Sequence, residues 1–159
     1  MDGDAALVLA LPDEAATGRL AERLARAARK GDVIALRGEL GSGKTSFARA
    51  FIRARLAESI EVPSPTFTLV EIYGGESDLP IWHFDLYRLS AAAEARELGF
   101  EEALGEGISL IEWPERLGPL LPAERLDLTF GAGPTPGSRT VAAAASPSWH
   151  NRIEGLRGV

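Results

Sequence analysis

The chain has 159 residues, of which 45% are hydrophobic and 25% are charged, and this composition is typical of one globular domain and not of a disordered segment. Its formal net charge of -6 argues against a wide basic surface, so we expect no extensive direct nucleic-acid binding. The absence of cysteine excludes disulfides and thiolate chemistry, and the apolar run near the start is too short to cross a bilayer. We therefore expect a cytoplasmic protein with no membrane segment.

The first part of the chain alternates predicted strands and helices. A short apolar run predicts a strand at 5–11, and leucines at helical spacing predict a helix at 14–30 that Gly31 ends. The continuous apolar run at 33–36 is typical of a strand buried on both faces of a parallel sheet. A helix is predicted at 44–57, where apolar residues again recur along one side.

The rest of the chain contains shorter elements. Two prolines make 62–66 a stiff loop. Strands are predicted at 67–73, 81–86, 108–111, 126–130 and 140–144, and helices at 91–98 and 148–156. Strands that alternate with helices and then form hairpins predict a mixed sheet covered by helices.

A glycine-rich loop carries the strongest functional signal. Residues 38–45 read Gly-Glu-Leu-Gly-Ser-Gly-Lys-Thr and match the phosphate-loop pattern between a predicted strand and a predicted helix. Glycines let the backbone N–H groups approach phosphates at a helix N-terminus. Lys44, one of only two lysines beside fifteen arginines, supplies a compact charge that reaches the β and γ phosphates. Thr45 supplies a hydroxyl ligand for Mg²⁺, so the loop predicts nucleotide binding in a P-loop NTPase-like fold.

Two carboxylates are candidates for the acidic residue that P-loop proteins place near the metal. Asp85 and Glu112 each end an apolar run that predicts a buried strand. Either can bind Mg²⁺ directly or through water while the other orients the attacking water or holds a ligand in place, and the residues alone do not choose between them. For each carboxylate the structural alternative is that it caps a helix or pairs with an arginine such as Arg88. His83 lies two positions before Asp85 and shares its strand face, where it either orients a carboxylate, contacts a phosphate or packs as a core histidine.

Two further side chains have open roles. Thr66 is either a switch residue that senses the γ-phosphate or a turn cap. Trp113 either stacks at the mouth of the site or is a buried aromatic. The Asn-Lys-x-Asp sequence that reads guanine is absent, which favours ATP. A small metabolite or nucleotide kinase is the competing class, but 94–107 has one arginine among many acids, whereas such kinases normally have an arginine-rich lid.

Taken together, five segments closely resemble the TsaE (YjeE) family. They are Leu-Pro-Asp-Glu-Ala-Ala-Thr at 11–17, the loop and its continuation at 38–49, Ser-Pro-Thr-Phe-Thr-Leu-Val-Glu at 64–71, His-Phe-Asp-Leu-Tyr-Arg-Leu at 83–89, and Ile-Glu-Trp-Pro at 111–114. The resemblance implies a small bacterial ATPase required for threonylcarbamoyladenosine modification of tRNA, which binds the TsaD–TsaB complex. It implies one P-loop ATPase domain over 1–159, with an α/β, three-layer fold, a mixed, mostly parallel central sheet and helices on both faces.

The resemblance also assigns site residues. It implies a metal pair, Thr45 and Glu112, and it places Glu14 at the base side of the nucleotide. Asp85 becomes the Walker B-like carboxylate, and Thr66 becomes the switch residue that assists catalysis beside Lys44. The ATP phosphates would be held by Gly41, Ser42, Gly43, Lys44, Thr45 and Ser46. The match is loose beyond residue 114, and the loop at 131–139 contributes no predicted site residue. A binding module in which ATP only sets a conformation stays open as the non-enzymatic alternative.

Overall fold

The computed structural model describes residues 5–57, 60–63, 65, 68–76 and 78–157. Its strands are β1 (Ala5–Leu11), β2 (Val33–Arg37), β3 (Val70–Tyr73), β4 (Ile81–Asp85), β5 (Ile108–Glu112), β6 (Leu126–Ala132) and β7 (Arg139–Ala145). Its α-helices are α1 (Glu14–Ala27), α2 (Lys44–Leu56), α3 (Phe100–Glu106) and α4 (His150–Glu154). Short 3-10 helices lie at Ala92–Leu98, Pro114–Leu120 and Pro147–Trp149. No helix among the described residues has the length and apolar character needed to cross a membrane.

The seven strands form one sheet in the order β1-β7-β6-β2-β5-β4-β3. Strand β2 lies between β5 and β6 and is parallel to both, and β4 is parallel to β5. Strand β7 is antiparallel to both β1 and β6, and β3 is antiparallel to β4. Five strands therefore run in one direction and two in the other, which confirms the predicted mixed, mostly parallel sheet.

Helices cover both faces of this sheet. On one face, Ile34 and Leu36 of β2 pack in a core with residues of α1, α2 and α4. On the other face, Val33 of β2 packs with residues of β4, β5, α3 and the first two 3-10 helices. Side chains alternate between the faces of a strand, so a continuous apolar run such as β2 serves both cores. The three-layer arrangement predicted from the sequence is confirmed.

Helix α1 ends three residues before the predicted boundary. Ala28 is extended, with φ -70° and ψ 143°, although no glycine or proline stands there. Two distant arginines explain the early end: Arg55 Nη1 donates to the carbonyls of Ala25 and Ala28, and Arg152 Nη1 donates to the carbonyl of Ala27. These side chains satisfy carbonyls that a longer helix would have satisfied itself.

Other boundaries differ where local signals are weak. The strand predicted at 67–73 is observed as Val70–Tyr73, because Thr68 and Leu69 form a turn before it. Residue 67 and part of the predicted loop at 62–66 lie outside the described residues. The helix predicted at 91–98 is a 3-10 helix over Ala92–Leu98. Gly99 ends it in a left-handed conformation, with φ 86°. Helix α3 follows at once and was not predicted. Its sequence is rich in acidic residues, and its two buried residues, Phe100 and Ala103, are too few to give a clear helical pattern. Both pack against β4 and β5.

Candidate functional site

The glycine-rich loop joins β2 to α2 in a conformation that depends on glycine at two positions. Gly38 has φ 135°, and a Cβ there would lie 2.7 Å from the carbonyl oxygen of Phe130. Gly43 has φ 112°, and a Cβ there would lie 2.8 Å from Nη1 of Arg139. Among the described residues no side chain caps the N-terminus of α2. The first N–H groups of the helix, which have no intrahelical partner, therefore face an uncapped end suited to an anion.

Lys44 begins α2 and is 4% exposed. Its Nζ donates to the carbonyl of Gly38 at 2.5 Å and lies 3.5 Å from the centroid of the Trp113 ring. Burial lowers the pKa of the Lys44 ammonium from its usual 10.5, against the opposing attraction of three carboxylates, Glu112, Glu115 and Asp85. The loop thus holds a buried cation at the end of the sheet. Because water screens a buried charge less, its attraction to an anionic ligand is stronger there.

Glu112 connects the loop to the sheet. It ends β5, is 2% exposed, and accepts a hydrogen bond on Oε1 from the Thr45 hydroxyl at 3.0 Å. Its other oxygen, Oε2, lies 2.7 Å from Nε2 of His83 on β4. Two neighbouring ligands of an octahedral Mg²⁺ ion stand roughly 3 Å apart, because each lies about 2.1 Å from the metal. The spacing of Thr45 Oγ1 and Glu112 Oε1 therefore fits a pair of magnesium ligands.

Asp85 stands beside Glu112 because β4 and β5 pair in parallel with these two residues in register. Its Oδ1 accepts a hydrogen bond from the backbone N–H of Tyr87 at 3.1 Å, which holds the turn after β4. The Tyr87 ring in turn lies 5.0 Å from the Trp113 ring, centroid to centroid. Trp113 itself has a left-handed backbone, with φ 60° and ψ 51°, which directs the chain away immediately after Glu112. The tryptophan is half-buried and covers Lys44, so it lies at the site mouth.

One cavity of about 220 Å³ gathers most of the predicted site. Its lining includes Gly41, Gly43, Lys44, Thr45, Ser46, Asp85 and Glu112, together with Leu40, Trp113 and Arg139. A larger cavity of about 590 Å³ is also lined by Ser46, together with Glu14 and Arg49. Ser42 instead lines a third cavity, of about 450 Å³, next to the β6–β7 hairpin. Thr66 lies outside the described residues.

Arg139 is a site residue that the sequence reasoning missed. It begins β7, pairs in register with Leu11 of β1, and its guanidinium packs against Gly43. It lines both the 220 Å³ cavity and the cavity beside Ser42. In the sequence Arg139 is a basic residue that follows a Gly/Pro-rich turn, and this pattern only weakly indicates a residue of a binding site. Its position depends on pairing between strands that lie far apart in the sequence.

The fold and the loop define the class of the protein: an α/β protein with a P-loop NTPase-like architecture. The family described as "Threonylcarbamoyl adenosine biosynthesis protein TsaE" matches residues 11–141. Three relatives carry the name tRNA threonylcarbamoyladenosine biosynthesis protein TsaE. The Rickettsia felis protein is 44% identical over 72% of this chain and 66% of its own length, and the Rickettsia conorii protein is 41% identical over 77% and 69%. The Bacillus subtilis protein is 39% identical over 75% of this chain and 72% of its own.

A solved structure agrees with these matches. The crystal structure of YdiB from Bacillus subtilis superposes with a TM-score of 0.77 and 29% identity, covering 96% of this chain and 95% of that one. The chain belongs to the TsaE family. It spans slightly less than two thirds of the length of the Rickettsia felis protein.

Proposed function

We propose that this chain is a cytoplasmic, magnesium-dependent ATPase that acts in the threonylcarbamoyladenosine modification of tRNA together with TsaD and TsaB. The observation that carries the biochemical part is the meeting of Lys44, Thr45 and Glu112 in one cavity at the uncapped start of α2. Family membership carries the pathway part. ATP is preferred over GTP because the guanine-reading sequence is absent.

The loop would bind the phosphates through its backbone and through Lys44. The N–H groups of residues 43–46 converge at the helix start, where the helix dipole also favours negative charge. Lys44 would exchange its contact with the Gly38 carbonyl for phosphate oxygens, and Arg139, which also lines the cavity, would add a second cation. The desolvated state of Lys44 favours this exchange, because a bound phosphate compensates a charge that burial disfavours.

Thr45 and Glu112 would hold the metal through the two oxygens that lie 3.0 Å apart. When bound, Mg²⁺ neutralises phosphate charge and orients the phosphoryl group for attack. Asp85, next to Glu112 in the sheet, would orient the attacking water. Thr66 keeps its proposed role as the switch residue. Glu14 would contact the nucleotide at its base side. It lines the 590 Å³ cavity, and Ser46 lines both that cavity and the 220 Å³ cavity of the phosphate site.

A partner would complete the cycle. The net charge of -6 argues that tRNA is handled by TsaD and TsaB, while this chain supplies the nucleotide-dependent step. In this arrangement the isolated chain hydrolyses ATP slowly and the complex hydrolyses it faster.

Single-turnover hydrolysis of ATP, measured with the chain alone and with TsaD and TsaB added, tests the proposal. We expect a complex that forms only with nucleotide and a faster turnover within it, and we expect Lys44→Ala to remove both. The absence of a nucleotide-dependent complex would contradict the partnership. Binding without hydrolysis in either condition would favour the non-enzymatic module, and acceleration by a small phosphate acceptor alone would favour the kinase class.

A further inference from the structure

His83, which contacts Glu112, is buried, and among the described residues only one of its two ring nitrogens is hydrogen-bonded. His83 lies on β4 and is 0% exposed. It shares a strand face with Ile81, which packs in the core that includes α2, so it stands on the same side of the sheet as that helix. Its Nε2 lies 2.7 Å from Glu112 Oε2, and its Nδ1 is buried without a hydrogen-bond partner within the described part of the chain. Buried polar atoms are normally paired, so a ring with one unsatisfied nitrogen is held in place by what its other nitrogen does.

The pairing defines which nitrogen carries the proton. An ionised carboxylate oxygen only accepts, so His83 Nε2 donates to Glu112 Oε2. The same contact helps to fix Glu112, because Oε1 accepts from the Thr45 hydroxyl at 3.0 Å and Oε2 accepts from His83. The terminal torsion of a glutamate is otherwise broad and close to two-fold, and two directed contacts restrict it.

We propose that His83 is a positioning residue for the magnesium site: its Nε2–H holds Oε2 of Glu112 and thereby directs Oε1 toward Thr45 and the metal. The inference rests on the proposed function, since it assigns a role within the same site. His83 does not touch the nucleotide cavity, whose lining includes Glu112 and Thr45 but not the histidine. Partners that orient a metal ligand commonly change metal affinity by about 10–100-fold when removed.

Two matched substitutions separate positioning from packing. His83→Gln keeps an N–H donor at a similar reach from the backbone, whereas His83→Met fills a similar volume without the donor. The affinity for a fluorescent ATP analogue is measured with Mg²⁺ and with EDTA, and thermal unfolding of each variant is followed in parallel. We expect His83→Met to lose about 10-fold or more of the magnesium-dependent gain while its affinity in EDTA is retained, and His83→Gln to recover part of that gain.

A nucleotide-free measurement accompanies the binding data. A long-range proton–nitrogen NMR correlation of the imidazole rings reports the tautomer, with His150, the chain's only other histidine, assigned by His150→Gln. We expect a proton on Nε2 of His83, and a ring protonated only at Nδ1 would overturn the proposal. A wild-type chain with no magnesium-dependent gain would overturn the proposed function together with this inference. A wild-type gain that His83→Met retains, or that both variants lose equally, would overturn the positioning role alone.

Discussion

The ammonium nitrogen of Lys44 lies 3.5 Å from the centroid of the Trp113 ring and donates a hydrogen bond to the carbonyl of Gly38. A cation over an aromatic face is attracted by the negative charge density of that face. These contacts do not replace the lost water completely, because burial is the largest influence on Lys44 and it lowers the pKa. The ligand-free loop therefore keeps its charge in an environment that disfavours it.

Replacing Lys44 should separate stability from function. We expect Lys44→Met to raise the free energy of unfolding of the ligand-free protein near neutral pH, because it removes a desolvated charge, and to abolish ATP binding. Urea unfolding and nucleotide titration measure the two effects. The other lysine offers a matched control: Lys30 is exposed, so Lys30→Met should change neither quantity.

The stability that Lys44→Met gains over the wild type should depend on pH in one direction. The folded pKa of Lys44 lies below its unfolded value of 10.5, so between the two values the unfolded chain binds more protons. The wild type then gains stability as the pH rises through that window. The advantage of Lys44→Met should accordingly shrink as the pH approaches 10.5. An advantage that grows with pH over the same window would contradict the assignment of burial as the cause.

The two carboxylates at the strand ends should respond differently to neutralisation. Glu112→Gln keeps the shape of a group whose Oε1 faces Thr45, so it should reduce the magnesium-dependent gain in nucleotide affinity more than the affinity in EDTA. Asp85→Asn keeps an acceptor for the N–H of Tyr87, so the turn after β4 should stay folded. We expect Asp85→Asn to lower the single-turnover rate more than the magnesium affinity. Equal losses of magnesium affinity in both variants would instead make the carboxylates joint ligands.

The position of Arg139 should depend on a glycine. Gly43→Ala places a side chain at φ 112° and forces the Arg139 guanidinium away, since the new Cβ would stand 2.8 Å from its Nη1. Backbone strain of this kind costs about 1–3 kcal/mol. We therefore expect lower stability and weaker ATP binding, measured by urea unfolding and nucleotide titration.

A second glycine provides the comparison. Gly105 lies within α3, where a Cβ would meet nothing within 4 Å, so Gly105→Ala should leave ATP binding unchanged. Helix propensity predicts a gain in stability of up to about 1 kcal/mol. Equal losses in Gly43→Ala and Gly105→Ala would show that neither effect arises from the loop.

The sequence predicts the parts of this site that local patterns determine. The phosphate loop, the buried strand β2 and the acidic ends of β4 and β5 all follow from short apolar runs and from residues within or next to them. What it does not predict depends on distant parts of the chain. The register of β7 brings Arg139 to the loop, and Arg55 and Arg152 end α1 where its own residues favour continuation. The choice of Glu112 over Asp85 as the partner of Thr45 is of the same kind: the family resemblance implies it, but the residues alone do not, because it depends on distances between α2, β4 and β5.

Arg152 should therefore be a strong stability determinant that lies far from the nucleotide cavity. It donates to the carbonyl of Ala27 at 3.0 Å and to Asp32 at 2.6 Å, and its guanidinium lies 3.6 Å from the Trp149 ring centroid. The side chains of the ion pair are only 8% and 11% exposed. Arg152→Ala leaves the Asp32 carboxylate without this partner, a change that typically costs about 3–5 kcal/mol. Urea unfolding should show this loss, whereas Arg157→Ala, which removes a surface pair with Glu154, should change the midpoint little. A loss for Arg152→Ala as small as that for Arg157→Ala would mean that α1 ends for another reason.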